Sequence, residues 1–313
     1  MNSDFPNNVV DSLGSPLVAH GETVFLGRVF EALEARLRED FRRFTFVVHR
    51  RVFGDSAGNT IALNPGGPDR VLILIADERE VFPVQDFTSY RAIFRSYGCP
   101  AAGRSGVHSF PVGYLNAAGL AESVNFDRRP ITAFFSGYLN RNRLDLYKQF
   151  RPVWWLGKRN LSKNRYVREL ARRAIEKLTK ERSFPGAVAG GHIAFTEWFG
   201  KGLAPDEYAR TLADTKIAIC PPGFVSHETI RHWEAMRLGC VVISAPLPPN
   251  RFYQNSPILQ LEDWSELKPT ITRLLENPAE LRLRHQATVD WWNQVCSESA
   301  VADYMAEVLE VRR

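Results

Sequence analysis

From residue 129 onward, short apolar runs alternate with helix-forming segments, and this alternation constrains the fold more than any other feature. The apolar runs lie at 131–136, 153–156, 192–195, 216–220 and 240–244. The segments between them have helical spacing, at 141–150, 164–180, 205–214 and 227–238. Strands separated by helices can be joined side by side only in parallel, through crossover connections. The pattern therefore predicts a parallel α/β sheet.

The first part of the chain repeats this pattern less regularly. A helix is predicted over 23–41, strands over 45–49, 71–76 and 108–112, and a short helix between 87 and 97. Two Rossmann-like sheets meeting near 115–130 are the simplest architecture, with an N-terminal domain over 1–126 and a C-terminal domain over 127–313. The final stretch, 263–311, is predicted to be helical, with Pro278 in the first turn of a helix.

Composition excludes several other classes. Hydrophobic residues make up 44% of the 313 residues and charged residues 24%, which excludes intrinsic disorder. The apolar runs are far shorter than the roughly 20 residues that span a bilayer. The first twenty residues resemble neither a secretory signal nor a transit peptide, so a cytoplasmic protein is expected. The four cysteines show no CxxC spacing, which favours reduced thiols over a zinc site or a disulfide framework.

Positive charge is concentrated between residues 141 and 182. This block holds fourteen Lys or Arg and four acidic residues, an excess of 14 − 4 = +10 in a chain whose net charge is +5. Such a block attracts the phosphates of a nucleotide, a lipid headgroup or a nucleic acid. For 164–180 the alternative is the solvated face of an amphipathic helix. Arg141 and Arg143 differ, because they follow a predicted strand directly, where loop residues meet ligands.

Several motifs of other enzyme classes are absent or have the wrong spacing. His227 and His232 lie five residues apart, about 140° around a helix, so they do not form the zinc-protease pair. GxGxxG, GxxxxGK[ST] and GxSxG are all absent. Dinucleotide dehydrogenases, P-loop NTPases and α/β-hydrolases therefore lose their main support.

The segment 208–244 carries the strongest chemical signal. A strand ends at a Pro-Pro-Gly turn containing Gly223, and Ser226 or His227 is predicted to begin the next helix. Backbone N–H groups at a helix start attract anions, although Ser226 can be only an N-cap. Arg231 and Glu234 share one helix face and could offer a cation to a phosphate and a carboxylate to ribose hydroxyls. The alternative is a surface ion pair.

These residues carry a resemblance to a known family. Thr229, Arg231 and Glu234, followed by Gly239 and Cys240 and an apolar strand, resemble the donor-binding motif of exostosin-like glycosyltransferases. Three earlier segments resemble other elements of that family, in its bacterial and ribitol-xylosyltransferase-type members. These are 134–137 with the arginines at 141 and 143, 75–78 with 90–97, and 110–114. The resemblance spans roughly residues 71 to 262.

The resemblance implies a GT-B enzyme, in which two Rossmann-like domains face each other across a cleft. The C-terminal domain would hold a nucleotide-diphosphate sugar, most plausibly a UDP-sugar, and the N-terminal domain the acceptor. The donor-binding candidates are Gly137, Arg141, Arg143, Gly223, Ser226, Thr229, Arg231 and Glu234. No metal and no further cofactor is expected, because the arginines and the helix start could stabilise the leaving diphosphate.

The acceptor hydroxyl needs a base, and three residues are candidates. Asp77 and Glu78 follow a predicted strand directly, at the carboxyl end where α/β proteins bind ligands; His20 precedes the first predicted helix. For all three the alternative is a plain surface loop.

Other functions stay open at this stage. The leading hypothesis is an inverting glycosyltransferase acting on a glycan or lipid-linked acceptor in surface polysaccharide or glycoconjugate synthesis. The alternatives are a retaining GT-B enzyme, a CMP-Kdo-type transferase, and a non-catalytic nucleotide-sugar-binding module. A nucleic-acid partner is not expected, since no helix-turn-helix, zinc-finger or RNP pattern occurs. The basic block could also hold the protein at the anionic inner face of a membrane.

Overall fold

The computed structural model describes residues 5–18, 20–50, 66–80, 82, 89–97, 106–151, 182–198 and 200–310. Ten strands in these ranges form two five-stranded sheets, and every pairing between neighbouring strands is parallel. The predicted strand at 153–156 and the predicted basic helix at 164–180 lie outside the described residues. The expected class, α/β with two Rossmann-like sheets, is confirmed.

The first sheet follows the order of the chain. It contains β1 (Val9–Asp11), β2 (Thr45–Arg50), β3 (Arg70–Ile75), β4 (Ala92–Arg95) and β5 (Val107–Ser109), in that order. α1 (Thr23–Leu37) connects β1 to β2 and continues as a 3-10 turn over Arg38–Arg43. The helix predicted between 87 and 97 is wrong. Ala92, Ile93 and Phe94 are buried between β3 and β5, and sheet pairing on both sides overrides the local helical pattern.

In the second sheet the spatial order of the strands differs from their order in the chain, although all of them are parallel. It contains β6 (Ile131–Tyr138), β7 (His192–Thr196), β8 (Thr215–Cys220), β9 (Val241–Ser244) and β10 (Leu259–Gln260), in the spatial order β7-β6-β8-β9-β10. β6 pairs with β7 on one side and with β8 on the other. The described strands therefore have a topological switch point between β6 and β8, the place where such sheets form a ligand crevice.

Both faces of this second sheet are covered. Phe135, Ile217 and Ile243 belong to one buried cluster, whereas Phe134, Ala218 and Val242 belong to another. Strands buried on both faces read as continuous apolar runs, which is why the sequence locates them within a few residues.

The helices complete the two halves. They are α2 (Asn116–Leu120), α3 (Leu144–Lys148), α4 (Pro205–Ala213), α5 (Ile230–Arg237), α6 (Leu267–Glu276), α7 (Pro278–Trp291) and α8 (Glu298–Glu310), with a π-helical turn at Trp292–Cys296. Pro278 occupies the first turn of α7, as predicted. None of the helices in the described ranges is long and apolar enough to cross a membrane.

The C-terminal helix returns to the first half. Arg91 donates a hydrogen bond to the carbonyl of Leu309, and the rings of Phe94 and Tyr304 meet edge to face with centroids 6.0 Å apart. The two halves also share core, since Phe25 of α1 packs on Trp233 of α5 with ring centroids 6.1 Å apart. Two Rossmann-like sheets joined in this way, with a helical C-terminus, form the GT-B arrangement that the resemblance implies.

Candidate functional site

Most of the predicted site residues lie near the carboxyl ends of the parallel strands, in both halves, whereas Arg231 and Glu234 lie in α5. In the first half, Asp77 and Glu78 follow β3 directly, and His20 precedes α1. In the second half, Arg141 and Arg143 follow β6, and Gly223 follows β8. Parallel strands bring all these ends to one edge of each sheet.

Two guanidinium groups meet above the backbone of β6. Arg143 is buried and donates to the carbonyls of Pro222, at 2.8 Å from Nε, and Tyr138, at 2.9 Å from Nη1. Arg231, the second residue of α5, donates from Nη2 to the carbonyl of Ser136 at 3.1 Å. A Cβ atom added to Gly137 would lie 2.6 Å from Nη2 of Arg231 and 3.1 Å from Nη1 of Arg143. Only a glycine at this position leaves room for both cations.

This pair has no ion-pair partner among the described residues, although Glu78 and Glu234 lie within electrostatic range of Arg143 and Arg231. Within the described part of the chain, neither Arg143 nor Arg231 lies within ion-pair distance of a carboxylate, and Nε of Arg231 is buried without a hydrogen-bond partner. Burial and the neighbouring charge of Arg231 lower the pKa of Arg143 to about 9. Arg141 is exposed beside the pair. Such a site is suited to bind an anion.

The turn after β8 is held in a fixed shape. The N–H of Gly223 donates to the carbonyl of Ser226 at 2.8 Å. Its carbonyl accepts from the side-chain amides of Asn140 at 3.2 Å and Asn142 at 3.1 Å. Sequence reasoning did not identify these two asparagines, although they stand next to Arg141 and Arg143 and Asn is a frequent loop hydrogen-bonding residue.

The helix predicted from Ser226 or His227 begins later. α5 starts at Ile230 with Thr229 as its N-cap, and the amide of Thr229 donates to Nδ1 of His232 at 3.1 Å. Ser226 does not cap it; its hydroxyl accepts from the amide of Glu228 at 3.1 Å in a local turn. This turn keeps residues 226–228 out of the helix.

His232 is therefore a structural residue. It is buried, its Nε2 lies 2.7 Å from the Ser244 hydroxyl, and burial lowers its pKa to about 4, so it is neutral. His227 contacts the carbonyl of Pro246 instead. No set of three His, Cys, Asp or Glu side chains in the described ranges is arranged to hold a metal ion.

Glu234 is not on the protein surface. It is buried and bonded to the backbone of Leu115, and burial raises its pKa to about 7, against the lowering effect of Arg231. The structure contains no ion pair between Arg231 and Glu234, so the surface-pair alternative is wrong.

The two acids after β3 have different surroundings. Asp77 is buried; its Oδ2 lies 2.9 Å from Nη2 of Arg95 and accepts from the amide of Phe82 at 3.1 Å. Glu78 reaches across to the second half, where its Oε1 accepts from the amides of Val225 at 2.9 Å and Ser226 at 3.0 Å.

His20 is paired with an acid that sequence reasoning did not select. Its Nδ1 lies 2.9 Å from Oε2 of Glu22, and Glu22 is also 3.3 Å from Nε of Arg50. Burial raises the pKa of Glu22, but His20 and Arg50 outweigh it and hold this pKa below its ordinary value. The backbone amide of Glu22 is 3.2 Å from the same Nδ1. An ionised carboxylate at the shorter distance favours the tautomer with the proton on Nδ1. Nε2 of His20 is buried and has no hydrogen-bond partner among the residues that the structure describes.

A small cavity of about 40 Å³ joins these elements. Glu22, Ala76 and Tyr97 from the first half and Ile230 from the start of α5 are among its lining residues. Ala76 and Tyr97 both have positive φ, 61° and 66°, which costs energy in a side chain with a Cβ and is typical of functional sites. Glu22, two residues after His20, and Ile230, next to Arg231, thus line the same cavity.

Comparison with known proteins gives only distant likenesses. No family model and no curated protein matches the chain. Among solved structures, HepE of Anabaena in complex with UDP is 11% identical over 92% of this chain and 77% of its own, with a TM-score of 0.44. A glycosyltransferase from Rickettsia africae is 9% identical over 97% and 98%, with a TM-score of 0.44. A UDP-forming α,α-trehalose-phosphate synthase from Burkholderia vietnamiensis is 12% identical over 95% and 78%, with a TM-score of 0.46. At such values these likenesses identify neither the substrate nor the reaction of this chain.

Proposed function

We propose that this chain is a glycosyltransferase that transfers a sugar from a nucleotide-diphosphate sugar to an acceptor hydroxyl. The first candidate for the donor is a UDP-sugar. The observation that carries the proposal is the pair formed by Arg143 and Arg231 over Gly137, two adjacent cations without a carboxylate partner in the described residues. They stand at the switch point of a parallel sheet, where α/β proteins bind their ligands.

The diphosphate would bind at this pair. Nε of Arg231 has no hydrogen-bond partner in the described part of the chain, and Arg141 is exposed in the loop after β6. When the bond between the sugar and the diphosphate breaks, negative charge grows on the leaving oxygen. Cations fixed in advance stabilise that charge without reorganisation. We therefore expect donor binding to persist in EDTA.

His20 is the base that the geometry supports best. Glu22 would hold its imidazole with the proton on Nδ1, so that the lone pair of Nε2 can accept the acceptor's hydroxyl proton. Asp77 is bonded to Arg95 and to the Phe82 amide, and Glu78 is bonded to the loop of the second half. Both acids are thus held by other groups, which makes them weaker candidates.

The reaction would proceed by inversion. The acceptor oxygen attacks the anomeric carbon while Nε2 of His20 takes its proton. The bond from that carbon to the diphosphate oxygen breaks, and its electron pair leaves with the nucleotide. Glu22 stabilises the imidazolium that forms.

A transfer assay tests this proposal. Purified protein is incubated with UDP-, GDP-, dTDP- and CMP-sugars, with and without EDTA, and the release of free nucleotide is followed. We expect release from one nucleotide-diphosphate sugar, in EDTA as well, and its loss in His20→Gln. Proton NMR of the product's anomeric centre separates inversion from retention. Release from CMP-sugars alone would point to a CMP-Kdo-type enzyme, and nucleotide binding with no release would point to a binding module.

The acceptor and the pathway are proposed only as classes. A glycan or lipid-linked acceptor would enter from the first half, and the pathway would be surface polysaccharide or glycoconjugate synthesis. Most of the basic block lies outside the described residues, so contact with an anionic membrane in the cytoplasm stays a prediction. Cosedimentation with anionic but not neutral liposomes would support it.

A further inference from the structure

One carboxylate crosses from the first half of the molecule to the anion site of the second. Glu78 stands at the end of β3, and its Oε1 accepts from two consecutive backbone amides, Val225 at 2.9 Å and Ser226 at 3.0 Å. Consecutive N–H groups that converge on one oxygen form an anion-binding concavity. The contact joins residues 147 and 148 positions apart in the sequence.

The loop is shaped to receive this oxygen. A Cβ atom added to Gly223 would lie 2.4 Å from Oε1 of Glu78, so a side chain at position 223 would push the carboxylate from its present position. Asn140 and Asn142 hold the carbonyl of Gly223. The amides of Val225 and Ser226 are directed at Glu78.

The surroundings of the carboxylate are positive. The charge of Glu78 raises the pKa of Arg143, against the stronger effect of burial, so the two groups lie within electrostatic range. A carboxylate and a phosphate have the same requirements here, since both accept from backbone amides and both are attracted by the arginines. They cannot share two N–H groups, because like charges at that distance repel.

We propose that the amides of Val225 and Ser226 form a phosphate subsite of the donor, and that Glu78 occupies it as a carboxylate stand-in until the donor's phosphate displaces it. This inference rests on the proposed function and adds to it. Donor binding would then break the hydrogen bonds that Glu78 makes across the two halves. The free protein holds the loop in its binding shape, at the cost of a weaker apparent affinity for the donor.

Calorimetric titration tests the exchange. UDP, and inorganic pyrophosphate as a probe of the phosphate subsite alone, are titrated into wild-type protein, Glu78→Ala, Glu78→Gln and Glu80→Gln. Removing a charge-assisted competitor is expected to tighten both ligands about tenfold in Glu78→Ala. Glu78→Gln, whose neutral amide competes less well than a carboxylate, should fall between Glu78→Ala and wild type. Glu80→Gln removes the same charge from an exposed position of the same loop and should leave both affinities nearly unchanged.

Two results would overturn the exchange alone. One is unchanged or weaker binding in Glu78→Ala while the wild-type protein binds UDP, which would mean that Glu78 supports the donor site. The other is an equal gain of affinity in Glu80→Gln, which would mean that the effect comes from the net charge alone. If no protein in the set binds UDP, GDP, dTDP or pyrophosphate, the proposed function fails and the exchange fails with it.

A measurement on the unaltered protein gives a second test. With ¹³C and ¹⁵N labelling, the exchange predicts that pyrophosphate shifts the carboxyl carbon of Glu78 and the amides of Val225 and Ser226 along one binding curve. Amides that respond while the carboxyl carbon does not move would contradict it.

Discussion

Arg143 and Arg231 approach the same glycine from two different elements, and a Cβ atom at Gly137 would lie 3.1 Å from the first guanidinium and 2.6 Å from the second. Arg143 comes from the loop after β6, whereas Arg231 comes from α5, about ninety residues later. Burial of one cation beside another is unfavourable, and the lowered pKa of Arg143 reflects this. An anionic ligand would relieve the repulsion, so ligand binding and local stability should be coupled.

Gly137→Ala should weaken donor binding without unfolding the protein. The added methyl group pushes both guanidinium groups off their carbonyl partners, and the loss of one charge-assisted hydrogen bond corresponds to roughly tenfold in Kd for UDP. Calorimetry on the variant measures it. Gly202→Ala is the matched control, because its Cβ would meet only ordinary contacts, 3.5 Å from Thr196 and 3.8 Å from Ser136. Equal affinity in the two variants would remove Gly137 from the site.

Trp198→Ala should weaken binding of the nucleobase without weakening binding of the phosphates. Trp198 is 63% exposed, its ring meets Tyr138 at a centroid distance of 5.9 Å, and Tyr138 meets Phe224 at 5.7 Å. This aromatic row lies beside the arginines and offers a stacking surface for a base. Because base stacking is worth roughly 1–3 kcal/mol, UDP should bind about tenfold more weakly while pyrophosphate binds as before. Leu283→Ala, at another exposed apolar position, should change neither affinity. A parallel loss of pyrophosphate binding would argue against a base platform.

Arg129 should matter for stability rather than for binding. It is buried and donates to the carbonyls of Val124, Thr215 and Leu238, which link the segment between the halves to β8 and to the end of α5. Arg129→Met removes three hydrogen bonds at once, although the carbonyls of Leu238 and Thr215 still accept from the Ser123 hydroxyl and the Cys240 thiol. It should lower the free energy of unfolding by roughly 3 kcal/mol. Urea denaturation measures the change, with the exposed neighbour Arg128→Met as control. If Arg129→Met is as stable as the control, the hydrogen bonds of Arg129 do not contribute to the free energy of unfolding.

Glu228 should make stability depend on pH. It is buried, Oε1 accepts from the Tyr253 hydroxyl at 3.0 Å, Oε2 has no hydrogen-bond partner within the described ranges, and burial raises its pKa to about 8. A raised carboxyl pKa stabilises the folded state fully below the ordinary glutamate pKa of 4.5, and this contribution is lost as pH rises toward 8.

Glu228→Gln removes that titration while keeping the shape of the side chain. The variant should be more stable than wild type at pH 8.5, by an amount of the order of 3 kcal/mol, and should lose this advantage at pH 5. Thermal unfolding of both proteins across this range gives the comparison. A difference in Tm that does not vary with pH would contradict the assignment.

Sequence alone predicts the second sheet well. Its strands are buried on both faces, so their apolar runs are continuous, and β6, β8 and β9 lie within two residues of the predicted positions. Short edge strands such as β1 and β10 carry little apolar signal and were not predicted. The segment of β4 has helical spacing, and only its pairing with both neighbours makes it a strand.

The candidate site could be predicted in its residue types but not in its pairings. Loop cations after β6 and in α5 are visible in the sequence, because they stand beside strand ends and helix starts. That Glu78 binds the amide of Ser226, or that Glu22 lies 3.3 Å from Nε of Arg50, depends on how segments distant in the sequence meet in space. Contacts between distant segments are set by the packing of whole elements, and a local pattern does not contain them.

Binding of UDP to the wild-type protein, to Arg231→Met and to Arg210→Met tests the central claim most directly. Arg210 is an exposed arginine on α4, so its replacement removes the same charge away from the site. We predict that wild type and Arg210→Met bind UDP alike by calorimetry, whereas Arg231→Met binds at least about tenfold more weakly. Equal binding by all three proteins, or no binding of UDP, GDP or dTDP by the wild type at millimolar concentration, would contradict it.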